Sequence, residues 1–168
     1  MKIGQLEIDL EELTNFIVKA KKNTYAGMGE EKRLPDGSKL LVFQEGNFYY
    51  EDNYGGSYQA PGRELVKWQR EDGQRIWQMS YSGGMPSEFW GNKILKDKTF
   101  TFLREVLMLI NFDYPFRGPL RHENEDFAYT TEVKGNIQKF SGIEWIRSKE
   151  LERIMFSQDF IGGLVIPK

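Results

Sequence analysis

The sequence predicts an α+β fold of antiparallel β-meanders in two pseudo-repeated halves, each preceded by an amphipathic helix. Three observations carry that expectation. Apolar residues recur at helical spacing in two stretches, near the start and near the middle of the chain. Short alternating runs punctuated by Gly, Pro, Asn and Asp follow each of them. An ordered set of residues in 47–85 also returns in 126–165.

Asp9-Leu-Glu-Glu12 reads as a helix start, with Asp9 as N-cap. Leu10, Leu13, Phe16, Ile17 and Ala20 then form an apolar stripe. Lys19, Lys21 and Lys22 fall where cations favour a helix C-terminus, and Gly27 and Gly29 end the pattern. Lys39–Phe43, Phe48–Tyr54, Glu64–Gln69 and Arg75–Tyr81 read as strands, separated by turn residues such as Pro35-Asp-Gly37 and Asp72-Gly73. Residues 86–97 have no clear period, and one helical turn with a loop is expected there. A second helix is expected from Thr99 to Ile110, on the stripe Phe102, Leu103, Val106, Leu107 and Ile110. Pro115 and Gly118-Pro119 stop it. Strands are then expected at Phe127–Val133, Ile137–Phe140, Ile143–Arg147 and Leu151–Ser157, with Gly162-Gly163 closing the pattern.

The doubling is specific in its order. Phe48-x-Tyr50 matches Phe127-x-Tyr129, and Gly56 matches Gly135. Gly62-x-Glu64 then matches Gly142-x-Glu144, Arg75-Ile76 matches Arg153-Ile154, and Gly83-Gly84 matches Gly162-Gly163. The reading is one domain over residues 1–168, with halves at about 8–85 and 98–165. The competing reading is two unrelated meanders that share generic turn chemistry.

Bulk properties bound the function. The chain has 168 residues, enough for a sizeable core, and its aromatic content of 14% assigns much of the packing to rings. With 23 basic and 25 acidic residues the net charge is −2, which disfavours a general grip on nucleic acid. There is no cysteine, which excludes disulfides, thiolate nucleophiles and cysteine zinc sites and fits a reducing compartment. No apolar run is long enough to span a bilayer, and the acidic start lacks the basic and apolar regions of a secretory signal. The expected location is cytoplasmic, with no membrane partner and no cofactor.

Thr24-Tyr-Ala26, Gly46–Asp52, Tyr54-Gly55, Gly62-x-Glu64, Ile76-Trp-Gln-Met79, Arg117-Gly-Pro119 and the paired Gly-Gly dipeptides resemble a family of bacterial and archaeal proteins known only as a domain of unknown function. The resemblance runs from about Leu13 to Val165. It implies no established activity and transfers no functional residue. Some members carry the domain behind an Xre-type helix-turn-helix, which implies a module that senses or binds something.

Candidate chemistry is sparse. The lone His122 excludes His-His metal pairs and falls in a charged stretch expected to be an exposed turn. Nucleophile elbows, phosphate loops and dinucleotide fingerprints are absent. The repeated glutamates, Glu64 and Glu144, share strand faces with apolar residues, where an unpaired carboxylate is costly. They form either a pair of acids for proton transfer or cation binding, or structural groups bonded to Arg75, Arg117 or Arg153. Alternation also places Phe48, Tyr50, Asp52 and Tyr54 on one face, and Arg75, Trp77, Met79 and Tyr81 on another. Side by side, these faces either build a ring-walled cleft for a small organic ligand or belong to the core. The second half replaces Asp52 by Thr131, Tyr54 by Val133 and Trp77 by Met155, which places any site nearer the first half.

The leading functional expectation is therefore a non-catalytic ligand-binding or interaction domain using Tyr50, Asp52, Tyr54, Glu64, Arg75, Trp77 and Tyr81. One alternative is a carboxylate-dependent hydrolase with Glu64 or Asp52 as base. Another is a structural or oligomeric partner, such as a homodimer. A buried carboxylate with a raised pKa in a concave pocket is what separates the first two readings.

Overall fold

Asp9 accepts hydrogen bonds from the amides of Glu11 and Glu12 at 2.8 and 3.0 Å, and α1 (Leu10–Asn23) starts there. The computed structural model describes residues 1–167. A short ribbon of β1 (Lys2–Ile3) and β2 (Leu6–Glu7) precedes the helix. After it come β3 (Lys32–Arg33), β4 (Lys39–Glu45), β5 (Phe48–Tyr54), β6 (Gly62–Trp68) and β7 (Arg75–Gly84). Then follow α2 (Lys93–Leu107), β8 (Arg121–Glu123), β9 (Phe127–Asn136), β10 (Lys139–Ser148) and β11 (Ile154–Leu164).

The fold is α+β, with a nine-stranded, wholly antiparallel sheet ordered β3-β4-β5-β6-β7-β11-β10-β9-β8. One meander runs inward from each edge, and β7 pairs with β11 at the centre. Leu13, Phe16 and Ile17 of α1 pack with Phe48, Tyr50 and Trp77 in one apolar cluster. Phe102, Leu103 and Val106 of α2 pack with Phe127, Ile146 and Phe156 in a second. Each such side chain contributes about 1.5–3 kcal/mol on burial. No helix among the described residues is long and apolar enough to cross a membrane.

The two meanders have corresponding ladder registers. Asp52 lies opposite Glu64 and Tyr50 opposite Val66; Thr131 lies opposite Glu144 and Tyr129 opposite Ile146. Glu64 then faces Met79, and Glu144 faces Gln158. A bulge follows at the same place in each, with Ile76 or Met155 as the extra residue. The ladder position of Trp77, opposite Val66, is therefore held in the second meander by Phe156, opposite Ile146, and not by Met155. Gly56 and Gly135 have φ of +95° and +96°, a left-handed conformation that suits glycine at both strand ends.

Several boundaries differ from the sequence expectation. α2 begins at Lys93, not Thr99, because the Asn92 side chain accepts from the Leu95 amide at 3.0 Å and caps it. It ends at Leu107, short of Ile110. The two strands expected at Ile137–Phe140 and Ile143–Arg147 are one strand, β10, which runs through Gly142. Gly162 and Gly163 lie inside β11 and do not close it. His122 is in β8, not a turn, and it bonds Glu105 at 2.8 Å and stacks on Phe102.

Gly142 stays in the ladder because Phe160 lies across it. A Cβ there would sit 2.4 Å from the Phe160 ring and 2.5 Å from the Glu132 carbonyl oxygen. Gly142→Ala is expected to cost about 1–3 kcal/mol through overpacking. Urea denaturation measures it; an unchanged midpoint would mean that Phe160 does not pack over this strand.

Candidate functional site

Alternation along β5 turns Phe48, Tyr50, Asp52 and Tyr54 toward the helices, and all four are buried. Phe48 and Tyr50 enter the core with α1. Asp52 lines a cleft of about 270 Å³, with Tyr54 at the border between that cleft and the α1 cluster; Tyr81 of β7 and Arg104 of α2 also line it. Tyr25, after α1, and Arg117, after α2, complete its inner part. Lys96, Phe100 and Arg104 line it at four-residue spacing, so one stripe of α2 faces the opening.

Asp52 is 4% exposed. Its Oδ1 accepts from the Tyr81 hydroxyl at 2.6 Å; the one fully buried side-chain atom without a hydrogen-bond partner among the described residues is Glu64 Oε2, which meets the Lys21 ammonium instead. Burial and the neighbouring Glu64 carboxylate push its pKa up from 3.8 to about 7, against the opposing pull of Tyr81, Lys21 and Arg117. Tyr81 is held protonated, by burial first and then by the Asp52 charge.

Arg117 is also buried, and its Nε donates to Glu144 Oε1 at 2.8 Å. Its Nη1 lies 3.8 Å from Glu64 Oε1, an ion pair beyond hydrogen-bond distance. The guanidinium carbon stands 5.5 Å from the Tyr81 ring centre. Burial works against the Arg117 charge, yet Glu144 and Glu64 hold its pKa above the ordinary arginine value.

Behind the cleft, Lys21 Nζ reaches Glu64 Oε2 at 2.6 Å and donates to the Phe116 carbonyl at 2.5 Å. Burial lowers the Lys21 pKa, and Glu64 opposes that shift. Glu144 accepts from Arg117, from Tyr129 at 2.7 Å and from Gln158 at 3.0 Å. Two buried cations thus balance two buried glutamates. Asp52 is the fifth charged group; burial is the first cause of its raised pKa, and the extra negative charge beside Glu64 is the second.

The expected site residues separate into four groups. Asp52, Tyr54 and Tyr81 line the cleft. Tyr50 and Glu64 lie behind it, around a void of about 20 Å³ that Lys21 shares. Trp77 is fully buried, stacks on Phe140 with ring centres 5.8 Å apart, and donates to the Ile137 carbonyl. Arg75 is exposed: the bulge at Ile76 breaks the alternation and separates it from Trp77, Met79 and Tyr81. The partners of the glutamates are Lys21 and Arg117; Arg153 instead pairs with Glu88 at 2.5 Å. Sequence reasoning missed Tyr25, Arg104 and the cleft-facing side of Arg117. The available signals were the Thr24-Tyr-Ala26 and Arg117-Gly-Pro119 motifs and the spacing on α2.

The fold and this site define an α+β protein with a wholly antiparallel sheet and one polar-floored cleft between the sheet and its second helix. Residues 52–165 match the family described as Domain of unknown function (DUF5680), and the chain belongs to that family. The matched span includes Asp52, Tyr81, Arg104 and Arg117; Lys21 and Tyr25 precede it. No curated protein and no solved structure matches the chain.

Proposed function

We propose that this protein is a non-catalytic binding domain that takes a small organic molecule into the cleft between β5, β7 and α2. The observation that carries the reading is unused bonding capacity on the cleft floor. The Asp52 and Arg117 side chains are nearly buried, and the bonds that hold them are at Asp52 Oδ1, from Tyr81, and at Arg117 Nε, to Glu144, which leaves Asp52 Oδ2 and the Arg117 Nη atoms for the cleft that both residues line. Polar atoms on a cleft floor bond whatever occupies the cleft, so this pair is placed to bond a ligand there. Tyr25, Tyr54, Phe100 and Phe156 supply apolar walls around it.

The matching ladder registers support one domain over residues 1–168 with pseudo-repeated halves at about 8–85 and 98–165. On that reading the second meander keeps the strand scaffold and lacks counterparts of Asp52 and Tyr54, although the second half supplies Arg104, Arg117 and Phe156 to the same cleft. Thr131, at the ladder position of Asp52, donates to the Ile143 carbonyl at 3.1 Å, and Val133 replaces Tyr54. Helix-turn-helix fusions in the proteins this chain resembles fit a sensing role for such a cleft.

Fragment screening by two-dimensional NMR of the intact chain tests the proposal. Shifts are expected to concentrate at Tyr25, Asp52, Tyr54, Tyr81 and Arg117. A library that perturbs only residues 126–165, or nothing, overturns it. A second reading, a hydrolase with Asp52 as general base, draws on its pKa of about 7 in a cleft. That reading needs ester or amide turnover by the wild type that Asp52→Asn abolishes.

A further inference from the structure

We propose that the cleft selects small organic acids with a flat apolar body, and that it binds the carboxylate on Arg117 together with one proton on Asp52. The inference rests on the cleft-binding reading and adds the ligand class and its coupling to protons.

The charges around the cleft are unequal. Lys39, Lys96, Arg104 and Arg117 line it against Asp52 and Asp97, four cations to two acids. The lysines are already engaged: Lys39 pairs with Glu31 at 3.2 Å and Lys96 with Asp97 at 3.6 Å. Arg104 has no carboxylate partner among the described residues and stands 5.0 Å from the centre of the Tyr25 ring. Glu144 fixes the Arg117 Nε at 2.8 Å, while Nη1 lies 3.8 Å from Glu64, beyond hydrogen-bond distance. Two guanidinium groups with spare N–H donors therefore face the same space, one at the floor and one on the α2 wall. A planar fork of donors matches a carboxylate, and the rings of Tyr25, Tyr54 and Phe100 suit a flat body above it.

Asp52 decides which anion fits. The charged and titratable groups around it are Glu64 of β6, Tyr81 of β7, Lys21 of α1, Tyr25 after α1, Arg117 after α2, and Tyr50 and Tyr54 on its own strand. Tyr81 occupies Oδ1, which leaves Oδ2 as the position for a proton from solvent. A ligand carboxylate beside an ionised Asp52 is a like-charge pair in a desolvated place. Beside a protonated Asp52 it instead accepts an O–H hydrogen bond. A pKa of about 7 makes that proton available at neutral pH. A phosphate dianion would add a second negative charge next to Glu64 and Asp52, so a singly charged acid is the better fit.

The test titrates benzoate, benzamide and phenyl phosphate into the intact protein, followed by two-dimensional NMR and calorimetry. Benzoate stays ionised across the range used. It is expected to shift Tyr25, Asp52, Tyr81 and Arg117 and to bind about tenfold or more tightly than benzamide. Its affinity is expected to fall about tenfold or more between about pH 6 and about pH 8.5, with proton uptake in calorimetry across buffers. Asp52→Asn should keep benzoate binding and lose the pH dependence. Arg117 also holds Glu144, so Arg104→Gln serves as the milder variant; it should weaken benzoate and leave benzamide unchanged. Equal binding of benzoate and benzamide in the cleft overturns the acid class and leaves the cleft reading standing. Tighter binding of phenyl phosphate overturns the choice of a singly charged acid. Benzoate binding without pH dependence overturns the proton coupling. Failure of every fragment and probe at the cleft overturns both proposals.

Discussion

Glu144→Ala is expected to remove about 3–5 kcal/mol of folding stability, the range for leaving one member of a buried ion pair without its partner. Glu144 is fully buried and takes three donors: Arg117 at 2.8 Å, Tyr129 at 2.7 Å and Gln158 at 3.0 Å. Without it, the buried Arg117 guanidinium retains Glu64 at 3.8 Å as its nearest counter-charge. The Tyr129 hydroxyl and Gln158 amide lose their acceptor as well. Domains of this size hold about 5–15 kcal/mol in total, so the variant is expected close to the unfolding threshold. Glu144→Gln keeps one acceptor oxygen but turns an amide or a neutral oxygen toward Arg117, and an intermediate loss is expected. Urea denaturation of both, beside Glu125→Ala at an exposed position, is the measurement. A Glu144→Ala midpoint equal to that of Glu125→Ala would show that Glu144 does not carry the Arg117 charge.

Much of this arrangement was legible in the sequence, and the gaps have physical causes. β5 has the bounds expected of it, because alternation between two turn signals leaves little freedom. Asp52 and Tyr54 were readable on one face for the same reason, whereas the face of Tyr81, expected side by side with theirs, lies one strand further on because β6 runs between β5 and β7. Arg75 was misplaced because period-2 reasoning fails at a bulge, and the bulge at Ile76 left only two adjacent apolar residues as its trace. The start of α2 was hidden because its first turns face the cleft and solvent rather than the core. Ile94 is 75% exposed, and Lys96 and Phe100 line the cleft, so no apolar stripe marks them. The strand break expected at Gly142 followed from reading glycine as punctuation, whereas here glycine makes room for Phe160. Lys21 looked like a helix-end cation and instead crosses to Glu64 and Phe116. Arg117 and Tyr25 reach the cleft from connecting segments, whose approach is set by tertiary packing and not by local pattern.

Between about pH 4 and about pH 7 the wild-type protein is expected to lose stability relative to Asp52→Asn, by roughly 4 kcal/mol over the whole window. The sign follows from the direction of the shift. Asp52 has an ordinary pKa of 3.8 and is raised to about 7 in the fold, by burial first and Glu64 second. Across that interval the folded state binds a proton that the unfolded state has released, so raising the pH favours unfolding. The contribution is fully present below the unfolded value and gone once the pH passes the folded one. The magnitude is about 3 pKa units at about 1.4 kcal/mol each. Asp36 works oppositely, since its bonds to Ser38 lower its pKa. In Glu31, burial opposes the bonds to Tyr54 and Lys39, and the net shift is also downward. Both act at acid pH and are common to the two proteins, so the difference between wild type and Asp52→Asn isolates Asp52. Asn keeps an acceptor for the Tyr81 hydroxyl and carries no charge, so near pH 8 the variant is expected to be the more stable protein. Urea denaturation of both along the pH series checks this, and parallel curves would refute it. A carboxyl group that weakens its own fold when it ionises, at the floor of a cleft and with one oxygen left for the cleft, is arranged for something other than stability. Its proton is the one the proposed acid ligand would draw on, so a ligand that binds the protonated form should recover part of this stability above pH 7.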